Sequence, residues 1–543
     1  MRESLGASPA FTKVLANGLG LAEDPGGNTS FGMHRCELLA ALLCHSAAVG
    51  LKTTDEKLAF IDEAFGSAGY SLDTPYLNPG SSDHYQIPFP ATEAVTQVAV
   101  AKHIPATDPV PPSAEESLAM AVKLGGRLTD SAIWYEDRCN WLSSTVDGNI
   151  LSHGASGPDL YSGLTGIGWF LAELAAVTGG DGERHTALAA LRNALTIADN
   201  MLHPIPFDAL YSGPIGFALI ALRAGALLGD EQLAAQARAL ISRRPRPAEQ
   251  KLPDFDMMAG FAGTITGLVI LGEQLADHTL LETATELGDA LIAHGEQSHG
   301  RSSWKSPYMA KFRNLTGFSH GAAGAAFALL ELFDATREER FRAAAESAFA
   351  YERYWFDERT QNWPDFRGVP ASAKRADITF SSETAWCHGA PGIALSRLRA
   401  YELLDMPGYK AEAEVALRTT LRSTEGMLAS GVGNYSLCHG MTGNAEVLRY
   451  GAQLLGGEWR SIWADVNGRI AAAGIATHGS GRLPWRSGGP IEGPGLMVGL
   501  AGIGYYYLRQ CKPTIPSPLL LLRHEFAPQA LALGPGKVGA MQA

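Results

Sequence analysis

A short glycine motif that recurs seven times in the later two thirds of the chain is the strongest constraint on its fold. Each copy reads Gly-x-x-Gly followed by an apolar run, as in YSGLTGIGWFLAEL from Tyr161 and CHGAPGIALSRL from Cys387. The first glycines of the copies are Gly163, Gly213, Gly260, Gly321, Gly389, Gly440 and Gly499. The interval from one copy to the next is long enough for two helices and two loops, so the sequence predicts seven repeated helix pairs.

The apolar runs and the stretches between them differ in hydrophobic pattern. Each run after the glycines is apolar on most sides, which is typical of an inner helix with neighbours all around it. The intervening stretches are amphipathic, and residues 184–203 carry one apolar face of Leu188, Leu191, Leu195, Ala198 and Leu202. We therefore predict an all-α protein, an α/α toroid of about seven inner and seven outer helices. Ring closure covers the apolar faces that the end repeats of an open array would expose.

The two residues before the first glycine of each repeat, here called the slot, carry the chemistry. In order, the slots hold Tyr-Ser, Tyr-Ser, Met-Ala, Ser-His, Cys-His, Cys-His and Met-Val. Equivalent positions of neighbouring repeats lie close together in a toroid, so Cys387, Cys438 and His439 can converge. Two thiolates and one imidazole are the three protein ligands of a catalytic zinc site, which keeps its fourth position for water or substrate. The alternative is that the cysteines are small buried hydrophobes and the histidines cap helices.

Other polar residues near these repeats are candidates for acid–base chemistry. His320, in the fourth slot, suits a proton donor or acceptor because the usual pKa of imidazole lies near neutral pH; the alternative is a structural histidine at a helix start. Asp256 precedes the third repeat and could orient His320, or instead cap an inner helix. Asp254 competes with Asp256 for this role. His388 either supports a metal ligand from behind or only hydrogen-bonds the backbone.

Composition excludes several classes of function. With 43 basic and 56 acidic residues the formal net charge is −13, so the chain lacks the basic footprint of a nucleic-acid-binding protein. Six cysteines are too few for a disulfide scaffold and predict a reducing, cytoplasmic compartment; the four outside the slots receive no role. No signal peptide or membrane helix is predicted. Phosphate-loop and His-Glu-x-x-His motifs are absent, and the slots lack the paired carboxylates of a glycosidase.

A proline-rich connector divides the chain. Residues 104–114, IPATDPVPPSA, contain four prolines, which is typical of an extended linker. Just after it, Ser113 and Glu116 have the spacing of a capping box, and the stretch to about Trp134 is predicted to be helical. The expected units are a mainly helical accessory unit in residues 1–110, the toroid domain in residues 111–515 and a C-terminal tail in residues 516–543.

The motifs GFSHGAAG, AWCHGAPGIAL, SLCHGMTGN and GLMVGLAGIGYYYLR resemble the lanthionine synthetase C-like family, the zinc-dependent cyclases of lanthipeptide biosynthesis. The resemblance covers roughly residues 115–512 and is closest to the cyclase domain of class II lanthipeptide synthetases. It implies a seven-fold α/α toroid that adds a peptide Cys thiol to dehydroalanine or dehydrobutyrine in a Michael-type reaction. Matched motif by motif, the family's zinc ligands fall on Cys387, Cys438 and His439. Its catalytic residues fall on His320 and Asp256.

Two departures from the family pattern bear on the site. Stand-alone cyclases usually have Tyr after the first zinc Cys, whereas this chain has His388, as class II cyclase domains do. RCNWLSS from Arg138 also resembles the start of such a domain. The stand-alone enzymes place an Arg shortly before that Cys, where this chain has Glu383. Arg367 and Arg375 are therefore the candidates for the missing cation.

The N-terminal accessory unit carries a separate resemblance. Its segments FGMHRCELLAALLCHSA and PYLNPGSSDHY resemble part of the effector-like phosphothreonine lyase modules found with class V lanthipeptide and thioamitide pathways. The alternative is a helical module that docks the leader of a precursor peptide. A kinase-like dehydratase module of the class II type is too large for a unit of this length. We therefore expect the dehydroamino acids to come from another protein, a separate dehydratase or a kinase and lyase pair.

Together these features predict a bacterial, cytoplasmic thioether cyclase that acts on a dehydrated precursor peptide of leader and core. Zn²⁺ is the expected cofactor, and neither nucleic acid nor a membrane span is expected. Two alternatives are kept. One is a non-catalytic zinc toroid that binds Cys-containing peptides as a scaffold, and the other is an enzyme that adds glutathione to dehydroamino acids.

Overall fold

The computed structural model describes residues 110–147, 150–200, 209–243, 254–309, 311–378, 380, 382–431, 433–481, 483–487 and 492–526. The accessory unit predicted in residues 1–110 therefore lies outside the described residues except for its last position. Within the described ranges the regular structure consists of fourteen α-helices, three short antiparallel hairpins and three single turns of 3₁₀-helix. None of these helices is long and apolar enough to cross a membrane.

Seven of the described helices begin directly after the first glycine of a repeat. These inner helices are α2 (Leu164–Thr178), α4 (Pro214–Leu228), α6 (Phe261–Leu275), α8 (Ala322–Thr336), α10 (Ala390–Leu404), α12 (Met441–Leu455) and α14 (Leu500–Cys511). Seven outer helices accompany them: α1 (Ala114–Ser131), α3 (Asp181–Asn200), α5 (Glu231–Ser242), α7 (His278–His294), α9 (Glu339–Trp355), α11 (Pro407–Ser430) and α13 (Gly457–His478).

Two hairpins lie in the connection between α1 and α2, and the third lies in the connection between α7 and α8. Their strands pair as β1 (Ile133–Tyr135) with β2 (Arg138–Asn140), β3 (Leu142–Asp147) with β4 (Ile150–Ala155), and β5 (Glu296–Ser298) with β6 (Arg301–Ser303). Each hairpin forms a separate two-stranded sheet, so the strands do not combine into a larger sheet.

The second glycine of the motif is required by a close backbone approach. A Cβ on Gly392 would lie 2.2 Å from the carbonyl oxygen of Trp386, and a Cβ on Gly443 would lie 1.8 Å from that of Leu437. Any side chain at these positions would force the helix away from the preceding slot. The glycines therefore set how closely each inner helix follows its slot.

The helices close into a ring. Each inner helix packs against the next inner helix and against the outer helix that follows it in sequence, and α14 packs back on α2. The outer partner of α14 is α1, so the first helix closes the outer ring. The capping box predicted for α1 is present: the Ser113 hydroxyl accepts the Glu116 N–H at 3.1 Å, and the Glu116 carboxylate accepts the Ser113 N–H at 2.8 Å. The predicted α/α toroid of seven inner and seven outer helices is confirmed.

Backbone hydrogen bonds join the seven slots into a closed belt. Their N···O distances are 2.8 to 3.2 Å, and the pairs are Tyr161–Tyr211, Ser212–Met258, Met257–Ser319, Ser319–Cys387, Trp386–Cys438, Cys438–Met497 and Met497–Tyr161, with the N–H residue first. Because the last bond returns to the residue that starts the first, the repeats meet edge to edge around the mouth of the ring. Slots of neighbouring repeats are therefore adjacent whatever the sequence separation between them.

The chain after α14 runs into the lumen. Hydroxyl groups of Tyr505 and Tyr211 donate to the carbonyls of Pro516 and Pro518 at 3.0 and 2.8 Å. The four leucines Leu519–Leu522 are all at most 4% exposed. Because this segment contacts inner helices on several sides, it fills the centre of the ring, and the packed toroid continues to residue 526, beyond the boundary predicted at residue 515.

Candidate active site

A cavity of about 690 Å³ lies at the mouth of the ring, bordered by the belt. Its walls come from the slots of the first and third to sixth repeats and from the segments that precede the fifth inner helix. The lining residues are Tyr161, Met258, Ser319, His320, Arg367, Glu383, Thr384, Ala385, Trp386, Cys387, His388, Cys438 and His439. Four of the five predicted site residues thus share one cavity, and the fifth, Asp256, contacts it through His320.

The two slot cysteines lie together at this cavity. Trp386 N–H donates to the Cys438 carbonyl at 2.8 Å, which places Cys387 beside Cys438 although they belong to different repeats. Each thiol acts electrostatically on the other. The neighbouring Cys438 thiol lowers the pKa of Cys387, and the charges of His320 and Arg367 add to this effect against burial and the charge of Glu383. The neighbouring Cys387 thiol, together with burial, raises the pKa of Cys438. Their proximity therefore favours ionisation of Cys387 over that of Cys438.

His439 completes the predicted donor set. The residue lines the same cavity, and Ser436 and Asn434 fix its loop: the Ser436 hydroxyl accepts the His439 N–H, and the Asn434 amide donates to the His439 carbonyl. Two thiols and an imidazole are donors that suit zinc. Among the described residues, however, no three His, Cys, Asp or Glu side chains are already arranged so that they could hold an ion. The metal assignment therefore rests on donor chemistry and on the shared cavity, and it stays a prediction.

His320 and Asp256 form a pair beside the cysteines. Nδ1 of His320 lies 2.5 Å from an Asp256 carboxylate oxygen, while the other oxygen accepts the Ala259 N–H at 2.7 Å. The His320 side chain is 38% exposed, whereas Asp256 is almost fully buried. Burial alone would lower the pKa of His320, but the hydrogen bond and the charge of Asp256 outweigh it and raise that pKa. The pair therefore favours the protonated form of the imidazole, which faces the cavity.

Asp254, the competing candidate, has a different partner. Its carboxylate accepts hydrogen bonds from the Ser306 hydroxyl at 3.1 Å and from the Phe255 N–H at 2.8 Å, and not from His320. Burial, reinforced by the nearby charge of Asp256, raises the pKa of Asp254 to about 6. Asp254 thus affects the pKa of His320 only through its charge, while Asp256 forms the hydrogen bond to His320.

The slots also contain two cavity residues whose roles the sequence left open or missed. His388 is 2% exposed, and its ring centroid lies 5.9 Å from that of His320; burial lowers its pKa to about 4, so this imidazole is neutral. Tyr161 hydrogen-bonds to the Cys438 thiol from the first repeat, and burial raises the pKa of its phenol. The signal for Tyr161 was its position in the first slot, since the slots lie on the belt around the mouth of the ring.

Of the two candidate cations, Arg367 is at the site. It lines the cavity, where its guanidinium donates to Asp365 at 2.7 Å and lies 3.5 Å from the Glu383 carboxylate. Arg367 is the one arginine or lysine among the described residues of the cavity wall. Arg375 instead stacks on Tyr354, with its guanidinium carbon 5.0 Å from the ring centroid, and does not line the cavity.

Comparison with family models gives two matches. A model described as "Lanthionine synthetase C-like protein" matches residues 154–522, which include every inner helix and all five predicted site residues. A second model, the HopA1 effector protein family, matches residues 5–77. The second match falls within the accessory unit predicted in residues 1–110, outside the described residues.

Two curated relatives and one solved structure are similar to the chain. "Nisin biosynthesis protein NisC" of Lactococcus lactis subsp. lactis is 26% identical over 215 residues, which are 37% of this chain and 50% of that protein. "Lacticin 481/lactococcin biosynthesis protein LcnDR2" of the same organism is 22% identical over 388 residues, or 69% of this chain and 38% of that protein. The chain thus spans half or less of each relative. The solved structure, nisin cyclase, matches with a TM-score of 0.53 at 18% identity, covering 76% of this chain and 96% of its own, and has the same fold.

Proposed function

Because the chain belongs to the lanthionine synthetase C-like family, we propose that it is a zinc-dependent thioether cyclase acting on a dehydrated peptide. It would join Cys thiols to dehydroalanine or dehydrobutyrine residues of the same peptide. The observation that carries the proposal is the single cavity that brings two slot cysteines and His439 to the His320–Asp256 pair. The names of the relatives, which refer to nisin and to lacticin 481/lactococcin biosynthesis, support a peptide substrate.

The metal would be held by Cys387, Cys438 and His439. Zn²⁺ bound there supplies Lewis acidity that lowers the pKa of a substrate thiol, so that the thiol is present as thiolate at neutral pH. Three protein ligands leave room for that sulfur. Tyr161 supports the ligand set by its hydrogen bond to Cys438.

His320 would hold and deliver the proton that completes the addition. The substrate sulfur bonds to the β-carbon of the dehydro residue, and the electron pair of the C=C bond moves onto the neighbouring carbonyl as an enolate. Nδ1 of His320 is occupied by Asp256, so Nε2 is the nitrogen that can give a proton to the α-carbon. Asp256 keeps the ring oriented, and solvent restores the proton to His320, while the proton of the substrate thiol leaves to solvent.

Arg367 would supply a fixed positive charge at the edge of this reaction. Its guanidinium is held by Asp365 and remains half exposed to the cavity. A cation at this position stabilises a peptide carbonyl oxygen as negative charge develops on it. Arg367 is thus our proposed substitute for the cation that Glu383 does not provide.

The decisive experiment replaces His320 and follows thioether formation. His320→Ala should bind zinc and peptide like the wild type but cyclise a dehydrated Cys-containing peptide roughly 10²- to 10⁴-fold more slowly, the usual cost of losing a general acid. Free thiols are counted by alkylation and mass spectrometry, and zinc by elemental analysis. His299→Ala, in the exposed β5–β6 turn, is the matched control and should cyclise at the wild-type rate.

Other outcomes would replace the proposal by one of its alternatives. Zinc-loaded wild type that binds the peptide but forms no thioether above the uncatalysed rate would favour a scaffold. Products that incorporate added glutathione in preference to the peptide's own Cys would favour glutathione addition. An unchanged rate in His320→Ala would remove this residue from the mechanism.

A further inference from the structure

Two stretches beside the candidate site are strongly basic in an otherwise acidic chain. Residues 301–313 and 366–376, together called the basic ledge, contain seven Lys and Arg residues. Acidic residues occur only at the flanks, at Asp365 and Asp377, and Asp365 pairs with Arg367. The whole chain, by contrast, has 43 basic and 56 acidic residues. A local excess of this kind marks a surface that attracts negative charge.

The two stretches lie side by side. Arg313 N–H donates to the Val369 carbonyl at 2.9 Å, and Ala371 N–H donates to the Lys311 carbonyl at 3.2 Å. The Arg313 guanidinium also donates to the Ala371 carbonyl at 3.1 Å. The charges of both stretches are therefore combined on one surface.

Three guanidinium groups of the ledge gather around one aromatic pair at the end of α9. Arg301 and Arg375 lie over the Tyr354 ring, with guanidinium carbons 3.8 and 5.0 Å from its centroid, and Arg313 lies 4.7 Å from that of Trp355. Their hydrogen bonds go to backbone carbonyls. Among the carboxylates whose side chains the structure describes, none forms an ion pair with them. Aromatic faces and backbone carbonyls, which carry no full negative charge, therefore orient these three cations.

The ledge leads into the cavity. Arg367 belongs to the ledge and also lines the cavity wall beside Cys387. A chain whose Cys occupies the cavity can therefore continue directly over the ledge. Carboxylates fit the fork geometry of arginine, so the complementary partner is an acidic stretch of peptide.

We propose that the basic ledge docks an acidic segment of the peptide substrate next to the cavity that holds its reacting Cys. This inference rests on the proposed function for the identity of the peptide. The contact itself depends only on charge and shape, so it can be measured without metal or dehydro residues.

The test uses the full chain and two short fluorescein-labelled peptides, one rich in Glu and one with Gln in place of each Glu. Fluorescence anisotropy should show binding of the Glu peptide that weakens as salt rises, and little binding of the Gln peptide. The double variant Arg301→Gln/Arg375→Gln should bind the Glu peptide roughly tenfold more weakly, as expected for two partly exposed charge contacts. Arg238→Gln/Arg460→Gln, which removes the same charge from exposed positions of α5 and α13, should leave affinity unchanged.

Three results would overturn the proposal. The first is equal affinity for the two peptides, and the second is equal loss of affinity in the two double variants. The third is a salt-dependent dimer in sedimentation that the ledge variant abolishes, because a second acidic copy of this chain would then cover the surface. A cyclisation assay run in parallel separates this test from the test of the proposed function. If the wild type binds the Glu peptide in preference to the Gln peptide but fails to cyclise, only the proposed function is contradicted.

Discussion

Charged side chains are exposed at the mouth of the inner ring but form buried ion pairs at its other end, here called the deep end. At the mouth, His320 is 38% exposed and Arg367 is 47% exposed, and both face a cavity. About three helical turns further along, neighbouring inner helices are joined by ion pairs whose side chains are at most 7% exposed. These pairs are Arg223–Glu173, Arg399–Glu331 and Arg509–Glu446.

The difference separates what holds the ring from what acts on a substrate. At the deep end each guanidinium has a carboxylate partner, and the lumen segment adds acceptors such as the Glu525 carbonyl, 3.4 Å from Arg223. Satisfied groups of this kind specify which helices meet. At the mouth, His320 is held by Asp256 through Nδ1, so its Nε2 is available for chemistry. Substitutions at the two ends should therefore have separable effects.

The largest expected effect is loss of metal from the mouth. Purified protein should hold about one zinc per chain, and Cys438→Ala should lose it because two remaining ligands cannot retain the ion. The ring should stay folded, since its core lies in the helices. Elemental analysis and thermal unfolding measure the two properties. Cys511→Ala, at the end of α14, is the control and should keep its zinc; full zinc occupancy in Cys438→Ala would refute the ligand set.

The toroid and the residues at its mouth can be predicted from the sequence more readily than the ion pairs at the deep end. The recurring glycines predict where the inner helices begin. The slots show that Cys387 and Cys438 occupy equivalent positions in neighbouring repeats. The choice between Asp254 and Asp256 depends on the loop before α6, whose backbone turns only the second carboxylate toward His320, and no periodicity encodes that turn. The lumen segment carries no repeat, so SPLLLLRHEF looks like a tail. A usable signal was overlooked: the tenth position of five inner helices is charged, at Glu173, Arg223, Glu331, Arg399 and Arg509.

At the deep end, breaking one ion pair should destabilise the ring. Arg223→Met leaves the buried Glu173 carboxylate without its charged partner; of the donors that the described residues supply, the Trp169 indole N–H remains, at 2.9 Å. We expect a loss of about 3–5 kcal/mol in unfolding free energy, the usual cost of an unpaired buried charge. Urea unfolding measures it, and zinc content should not change.

The matched double variant sharpens this result. Glu173→Met/Arg223→Met removes both charges and should regain most of the lost stability, although not all, because the Trp169 indole then lacks an acceptor. A double variant no more stable than Arg223→Met would show that the unpaired Glu173 charge is not the cause of the loss, and the contrast between the two ends would need to be revised.

A smaller effect is expected from the charge of Asp256. The pKa of His320 is raised by Asp256, so the protonated acid persists to higher pH, and cyclisation should slow as pH rises through that pKa. Asp256→Asn removes the charge and should move this alkaline fall to lower pH by about one pH unit or more, since an adjacent opposite charge changes a pKa by roughly that much.

The control for this shift is Asp254→Asn. Its carboxylate bonds to Ser306 and acts on His320 only through space, so the alkaline fall should move in the same direction but less. Rates measured across the pH range by thiol alkylation decide between the two. Identical profiles for wild type and Asp256→Asn would mean that His320 is not the proton donor.

The smallest effect on the toroid is expected from removing residues 1–110. All seven inner helices and the closing helix α1 lie beyond this cut, and Pro111, which packs against Gly468 of α13, is retained. The truncated protein should be soluble and zinc-loaded, with a thermal midpoint within about 2 °C of the full chain, roughly what 1 kcal/mol produces. Deleting residues 1–132 instead removes α1, whose buried Leu124 and Leu128 help cover α14, and should leave an open, aggregating ring. Insoluble protein from the shorter deletion would place the accessory unit inside the toroid; equal stability of both truncations would show that α1 does not close the ring.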